Sequence, residues 1–399
     1  MNFKRVFLGA CCILFCLSSI GFAEADGSDY WYWVREGLGY ERNKDYDKAL
    51  YCFNQAIEKR PEDRIFYNYR ASFYAQIKNY PAAIADYTRA LELDPSVLIN
   101  YFSRAKLYEK MEQYDEALLD YTTELAVVAK QNEVAQYKYV PKDVYRDRAA
   151  LYYRLERYDE AFADYTEEIN AYEAEDPSDQ RFSFNVRGRG AAYCARGTVS
   201  LVKKDYVVAI QDFSQAIKIA PACSPGFFYR AKAYLLTQEY EKAVADYDEA
   251  LALNLVKNKA DQITLYINRG VAYAGLKNYD KALADYDEAL ALGAQSPELY
   301  QLRGTACAVL NKIDQAMESY QKCINLKPDF MLVYMERAKL YEQINNNAMA
   351  IEDYTKAIDL ASDKAELYIA RANCYNAIGQ KKLAKADLIK ARQLQKIVK

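Results

Sequence analysis

Ten times along this 399-residue chain the same frame of about 34 residues returns: an aromatic residue, Arg-Ala or Arg-Gly, a tyrosine, a short gap, then Tyr-x-x-Ala-x-x-Asp-Tyr-x-x-Ala. A helical hairpin of that length cannot bury its apolar stripe alone, so copies must stack on one another. The cleanest copy runs through Tyr67-Asn68-Tyr69-Arg70-Ala71-Ser72-Phe73-Tyr74 and Tyr80-Pro81-Ala82-Ala83-Ile84-Ala85-Asp86-Tyr87-Thr88-Arg89-Ala90-Leu91, and closes at Asp94-Pro95. Copies fall at about 30–63, 64–97, 98–131, 142–175, 190–223, 224–257, 263–296, 297–330, 331–364 and 365–398. The prolines respect this frame. Pro61, Pro95, Pro221 and Pro328 close a copy, while Pro81, Pro141, Pro225 and Pro297 open a helix, so no helix interior is broken.

Several columns agree at once. With each copy counted from 1 to 34, positions 8 and 20 are small wherever two helices must cross: Gly37 with Ala49, Ala71 with Ala83, Ala105 with Ala117, Ala149 with Ala161, Gly197 with Ala209, Ala231 with Ala243, Gly270 with Ala282, Gly304 with Ala316, Ala338 with Ala350, and Ala372 with Ala384. Position 4 carries a ring in all ten, from Trp33 and Tyr67 to Tyr334 and Tyr368. In the fifth copy both Arg189-Gly190 and Arg196-Gly197 fit the Arg-Gly slot, and the spacing to Tyr206 and Ala209 selects the second. The frame resembles the tetratricopeptide repeat over residues 30 to 398. That resemblance implies an all-α fold, a right-handed superhelical solenoid of about ten helical hairpins. Most of the 39 tyrosines fall at positions 4, 11, 17 and 24, as core and crossing residues with hydroxyls expected to reach the surface.

Catalytic chemistry is poorly supplied. The chain has no histidine, which removes the usual general base near neutral pH and the commonest metal ligand. No Gly-rich phosphate loop occurs, and the six cysteines beyond residue 25 show no Cys-x-x-Cys. The reading is therefore no enzyme, no catalytic residues, no metal and no cofactor. Cys307 and Cys323, at positions 11 and 27 of one copy, could form a disulfide, but buried free thiols replacing Tyr and Ala are the preferred reading. Arginine recurs at position 7 in nine copies and aspartate at position 23 in eight; so regular a ladder points to an ion pair each copy needs rather than to an anion track.

Function must then sit where copies differ. In the family the concave groove is lined by positions 2, 5, 9, 12 and 13 of the first helices, and no consecutive trio here supplies the Lys/Asn/Arg set that clamps acidic C-termini. The groove instead changes character. Copies 5 to 8 present Leu201, Val202, Phe228, Lys232, Leu235, Leu236, Ile267 and Val271 as a candidate binding surface, with Phe228, Leu235 and Ile267 expected as solvent-facing anchors for an apolar partner segment; copies 3 and 4 present Lys106, Lys110, Arg146 and Arg154 as a polar stretch. The partner is expected to be a protein or peptide, with two function classes open: an assembly scaffold or adaptor, and a chaperone-like holdase for unfolded exported chains.

The termini add context. Lys4 and Arg5, an apolar run from 6 to 22 and Ala23-Glu24-Ala25 read as a cleaved signal peptide over 1–25, since the run is shorter than the roughly 20 residues of a spanning helix. The expected arrangement is a signal, copies 1–4 over 26–175, an irregular insertion and hinge at 176–189 in which Phe182 and Phe184 fold over the groove in one reading, and copies 5–10 over 190–399. The segments 131–141 and 258–262 are further insertions, the first prolonging a helix. Export is expected from that signal, and the lack of an Asn-x-Ser/Thr acceptor favours a bacterial periplasm or exterior over a eukaryotic secretory route. A net charge of −3 gives no long-range field for nucleic acid. Only the end is biased, with Lys381, Lys382, Lys385, Lys390, Arg392, Lys396 and Lys399 against a single Asp387. This is read as a solvated cap, membrane contact through it or through an uncleaved N-terminus being the minor alternative.

Overall fold

The computed structural model describes residues 30–135, 139–174, 182–221 and 225–397, and all its regular structure is helical. The expected signal peptide lies outside these residues. Two compact units divide at Leu155/Glu156. The first holds α1 (Tyr30–Arg42), α2 (Tyr46–Lys59), α3 (Arg64–Gln76), α4 (Tyr80–Leu93), α5 (Leu98–Lys110), α6 (Tyr114–Val134) and α7 (Lys142–Arg154). The second holds α8 (Tyr158–Glu173), α9 (Phe182–Val202), α10 (Tyr206–Ile219), α11 (Gly226–Leu236), α12 (Tyr240–Ala252), α13 (Lys259–Gly275), α14 (Tyr279–Ala291), α15 (Pro297–Val309), α16 (Ile313–Leu326), α17 (Met331–Gln343), α18 (Asn347–Leu360), α19 (Ala365–Ala377) and α20 (Lys381–Ile397). Within each unit a first helix packs on its second, and that second helix packs on the next first helix. None of the described helices is long and apolar enough to cross a membrane.

The hairpins form where the sequence sets them. Each turn places one residue in the left-handed region at position 15, as at Lys78 (φ 63°) and Asn311 (φ 56°), and a glycine stands there only at Gly379. The following helix then starts on a side-chain cap in several repeats, as where the Asn79 Oδ1 accepts from the Ala82 N–H. Ala49, Ala83 and Ala117 in the first unit, and Ala209, Ala243, Ala282, Ala316 and Ala350 in the second, are wholly buried at the crossings. The glycines at position 8 are required by close approach: a Cβ on Gly304 would stand 2.5 Å from Tyr320 Cε1, and one on Gly270 would stand 2.6 Å from Tyr286 Cε1.

Three expectations are corrected. The hydroxyls of the position-24 tyrosines do not reach the surface. Tyr121, Tyr247, Tyr286, Tyr320 and Tyr354 are fully buried, because the ring lies in the crossing and its para position points into the stack. The segment 176–189 is not irregular throughout: 175–181 lie outside the described residues, but α9 already runs from Phe182, with Gly188 lying against the Tyr172 hydroxyl and Gly190 against Ala220. No proline interrupts 182–202, so the helix begins about two turns ahead of the repeat frame. The side chains of Phe182 and Phe184 are outside the description. The compact units, moreover, part inside the fourth copy and not at 176–189. Of the two other insertions, 131–141 is helical only over 131–134, which end α6, whereas 259–262 open α13.

Two hairpins carry polar groups where the others are apolar. Position 27 is alanine or cysteine in eight repeats but Glu124 and Glu168 in the third and fourth, and position 3 of the third is Asn100. Glu124 is 3% exposed, and neither its Oε2 nor the Asn100 Nδ2 has a hydrogen-bond partner. Burial first, and the Asp120 carboxylate second, push the Glu124 carboxyl up to about 8.

Candidate partner-binding groove

The arginine ladder faces inward. In the second unit Arg337 donates from Nε and Nη2 to both Asp353 oxygens, each at 2.8 Å, and from Nη1 to Gln321 Oε1 at 2.8 Å. Arg196, Arg230, Arg269 and Arg371 repeat the fork on Asp212, Asp246, Asp285 and Asp387. In the first unit Arg70 and Arg104 do so on Asp86 and Asp120. The other guanidinium nitrogen always reaches position 25 of the preceding repeat: Asn54 from Arg70, Thr88 from Arg104, Thr166 from Arg196, Ser214 from Arg230, Asp248 from Arg269 and Thr355 from Arg371. Arg303 has Ser319 at position 23, and takes Asp287 of the previous repeat as its carboxylate partner at 2.7 Å. Each arginine is thus a clasp between successive hairpins. Burial raises the Asp285 carboxyl although Arg269 hydrogen-bonds it, so much of the pair's attraction is spent on desolvation.

With the arginines committed to the stack, the first-helix faces are left for partners. The structure separates the expected groove residues into three kinds. Leu201 is 8% exposed and belongs to the core around Phe213, so it is not a groove residue. Phe228 is half-buried, its ring edge-on to the buried Tyr247 ring at 6.1 Å between centroids, and Leu235 packs on the same cluster. Ile267 and Val271 pack on the adjoining cluster. Phe228, Leu235 and Ile267 are therefore shoulders of the core rather than free anchors, because their side chains pack on the buried rings and aliphatics of these clusters instead of standing clear in solvent. On the first helices of repeats 5 to 8, Val202 (41%), Leu236 (50%) and Val309 (55%) are the large apolar side chains exposed to solvent among the described residues, and Lys232 is exposed too.

These three share one register. Each is position 13, the last residue of α9, α11 and α15, and the intervening position in α13 is Gly275, against which the Tyr240 ring lies. The same position in repeats 2 to 4 is Gln76, Lys110 and Arg154. Beside Val309 an open cleft of about 300 Å³ runs between α15 and α17, lined by Thr305, Ala308, Val309, Glu336, Lys339, Leu340 and Gln343 over Tyr320. Its wall is polar and ordered: Gln301 Nε2 donates to Glu336 Oε2 at 2.8 Å, and the Thr305 hydroxyl bonds the same carboxylate.

The polar stretch of the first unit is largely self-neutralised. Lys106 Nζ sits 2.8 Å from Glu109 Oε1 and 3.4 Å from Asp147 Oδ2, and Arg154 Nη2 lies 3.3 Å from Glu109 Oε2 with its guanidinium over the Tyr114 ring. Arg146 pairs with Asp143, and Lys110 lies over the Tyr80 ring at 5.4 Å. Cys307 and Cys323 are both buried free thiols. Burial pushes the Cys323 thiol up to about 11, and burial with a hydrogen bond to Glu342 takes Cys374 up to about 12, so neither supplies a thiolate nucleophile near neutral pH.

Family models of the tetratricopeptide repeat match residues 34–97, 224–254, 263–293, 297–330 and 333–364. This is a tetratricopeptide-repeat protein. Among curated proteins, the DnaJ homolog subfamily C member 7 of Homo sapiens is 34% identical to this tetratricopeptide-repeat chain over 65 residues, 16% of the chain and 13% of the human protein, and its Mus musculus counterpart is 32% identical over the same length. The chain thus spans 13% of the length of the curated relatives it matches. Among solved structures, the C-terminal part of a TPR repeat-containing protein from Cytophaga hutchinsonii has a TM-score of 0.52 at 17% identity, covering 67% of this chain and 98% of that one, a shared fold. YrrB, described as a TPR protein with an unusual peptide-binding site, gives 0.39 at 21% identity over 46% of this chain and 92% of its own.

The clasp to position 25 is the feature that the sequence reading missed. Its signal was present, since Asn54, Thr88, Thr122, Thr166, Ser214, Asp248, Asp287, Gln321 and Thr355 are all hydrogen-bonding side chains at one register. The sequence reading pairs each arginine within its own repeat, whereas this acceptor lies in the repeat before.

Proposed function

We propose that this tetratricopeptide-repeat protein is an exported, non-catalytic scaffold that holds a partner protein segment along the first helices of repeats 5 to 8. The observation that carries this is the position-13 row: apolar and solvent-facing at Val202, Leu236 and Val309, polar at Gln76, Lys110 and Arg154 in the earlier repeats. Exposed aliphatic side chains repeated at one register, with polar side chains beside them, suit an amphipathic helix or an extended segment whose apolar residues recur at matching intervals. The arginines are not available as an anion track, because they are held in the clasps. Export rests on the apolar run 6–22 and Ala23-Glu24-Ala25, and a mature N-terminus at residue 26 by mass spectrometry is the expected result.

Pulldown from the native host with wild type and Leu236→Ser/Val309→Ser tests the binding surface. One dominant partner, lost in the variant while the melting temperature holds, is the expected outcome; a partner retained at full strength by the variant rejects the surface. The holdase reading has one point in its favour, that the row forms open ledges rather than enclosed pockets. Suppression of aggregation of several unrelated substrates, with no dominant partner, would favour it.

A further inference from the structure

The last helix reverses the rules that the other nine second helices obey. Positions 21 and 28 are apolar in every preceding repeat, as at Ile351 and Ile358, which pack in the core. In α20 they are Lys385 and Arg392. Position 25, a hydrogen-bonding side chain in all nine preceding repeats, becomes Ile389. Among the described residues no further helix packs on α20, so a polar face suits the first change, and with no following arginine to clasp, position 25 needs no polar side chain; an exposed aliphatic one in its place is the part left to account for.

The exposed face that results interleaves cations with aliphatic side chains. At about 100° per residue, Ile389 falls between Lys385 and Lys382 with Arg392 next to Lys385, and Leu383 falls beside Lys390; Leu383 is 48% and Ile389 47% exposed. The helix carries six cations and one carboxylate, and that carboxylate, Asp387, is already held by Arg371. Among the described residues no carboxylate lies within ion-pair distance of Lys382, Lys385 or Arg392. The chain as a whole has a net charge of −3, so this helix is net positive while the remainder of the chain is net negative.

We propose that the outer face of α20 docks on an anionic lipid surface. Cations with aliphatic side chains set among them suit a lipid surface: headgroup phosphates for the lysines and arginine, and the acyl boundary for Leu383 and Ile389. A nucleic acid would engage the cations but leave the two aliphatic side chains without a purpose. The surface is distinct from the groove of repeats 5 to 8, and the two can be occupied together.

Vesicle flotation with the full chain decides it, using phosphatidylcholine vesicles with and without one-third phosphatidylglycerol. The N-terminal apolar run meets both vesicle types, so the ratio between them reports the charged face. The expected result is at least about tenfold stronger partitioning onto the anionic vesicles, abolished by Lys382→Glu/Lys385→Glu/Arg392→Glu and by 0.5 M salt, and weakened several-fold by Leu383→Ser/Ile389→Ser. All the substituted side chains are exposed, and circular dichroism verifies that the variants fold. Equal partitioning on the two vesicle types overturns the proposal. So does binding to a DNA duplex as tight as to the anionic vesicles with no loss in Leu383→Ser/Ile389→Ser, which would make the face a polyelectrolyte contact.

Discussion

Replacing Glu124 by glutamine should stabilise the first unit, and do so only as pH rises. Folding takes this carboxyl from an ordinary value of 4.5 to about 8, because the charged form has lost water and has found no donor for its Oε2. Between those two values the folded state keeps a proton that the unfolded chain has released. The stability tied to that proton is fully present below about pH 4.5 and is lost as pH rises through 8. Each unit in that window therefore costs about 1.4 kcal/mol. Asp120, held by Arg104, Tyr121 and Tyr139 are the other titratable groups coupled to Glu124, and all three are kept in Glu124→Gln. The difference in unfolding free energy between variant and wild type should thus be small at pH 5, grow by about 1.4 kcal/mol per unit to pH 8, and level off above pH 9. Urea unfolding followed by tryptophan fluorescence reads it, because Trp31 and Trp33 are the chain's two tryptophans and both lie in α1 of the same unit. Parallel stability curves for the two proteins from pH 5 to 9 would refute the reasoning.

Arg269→Ala should cost about 3 to 5 kcal/mol in denaturant unfolding, because it strands the buried Asp285 and also releases Asp248; a loss under 1 kcal/mol would mean that the clasps are ornamental. Gly304→Ala should cost about 1 to 3 kcal/mol by thermal unfolding, since its Cβ would press on the Tyr320 ring, whereas an alanine at Gly39, which has open space around it, should be tolerated. Cys307, Cys323 and Cys374 should resist iodoacetamide at pH 8 in the native protein and react on denaturation; alkylation of the folded protein, read by mass spectrometry, would contradict their burial.

Much of this was legible because the repeat imposes it many times over. Small residues at positions 8 and 20 fix the crossings, and the register chosen for the fifth repeat through Tyr206 and Ala209 is the one in which Arg196 meets Asp212 and Gly197 meets Phe213. What the frame could not show depends on neighbours. Leu201 and Phe228 occupy positions that face the groove, yet each is covered because the second helix of its own hairpin supplies a ring, Phe213 and Tyr247 respectively, to the cluster it packs on. The burial of Tyr286 up to its hydroxyl follows from how far Gly270 lets the helices approach. The fate of the Lys106 and Arg154 cations turns on Glu109, one residue that pairs with both. Exposure at single positions is a property of three helices at a time, and one repeat's sequence holds two of them.

Photo-crosslinking in the native host tests the central claim most directly, with a photoreactive amino acid placed singly at Leu236, at Val309 and at Glu352 on an exposed face of α18. Adducts of one mass from Leu236 and Val309, and none from Glu352, are the predicted result. Adducts from Glu352 alone, or equally from all three, would contradict the assignment of partner binding to the apolar row of repeats 5 to 8.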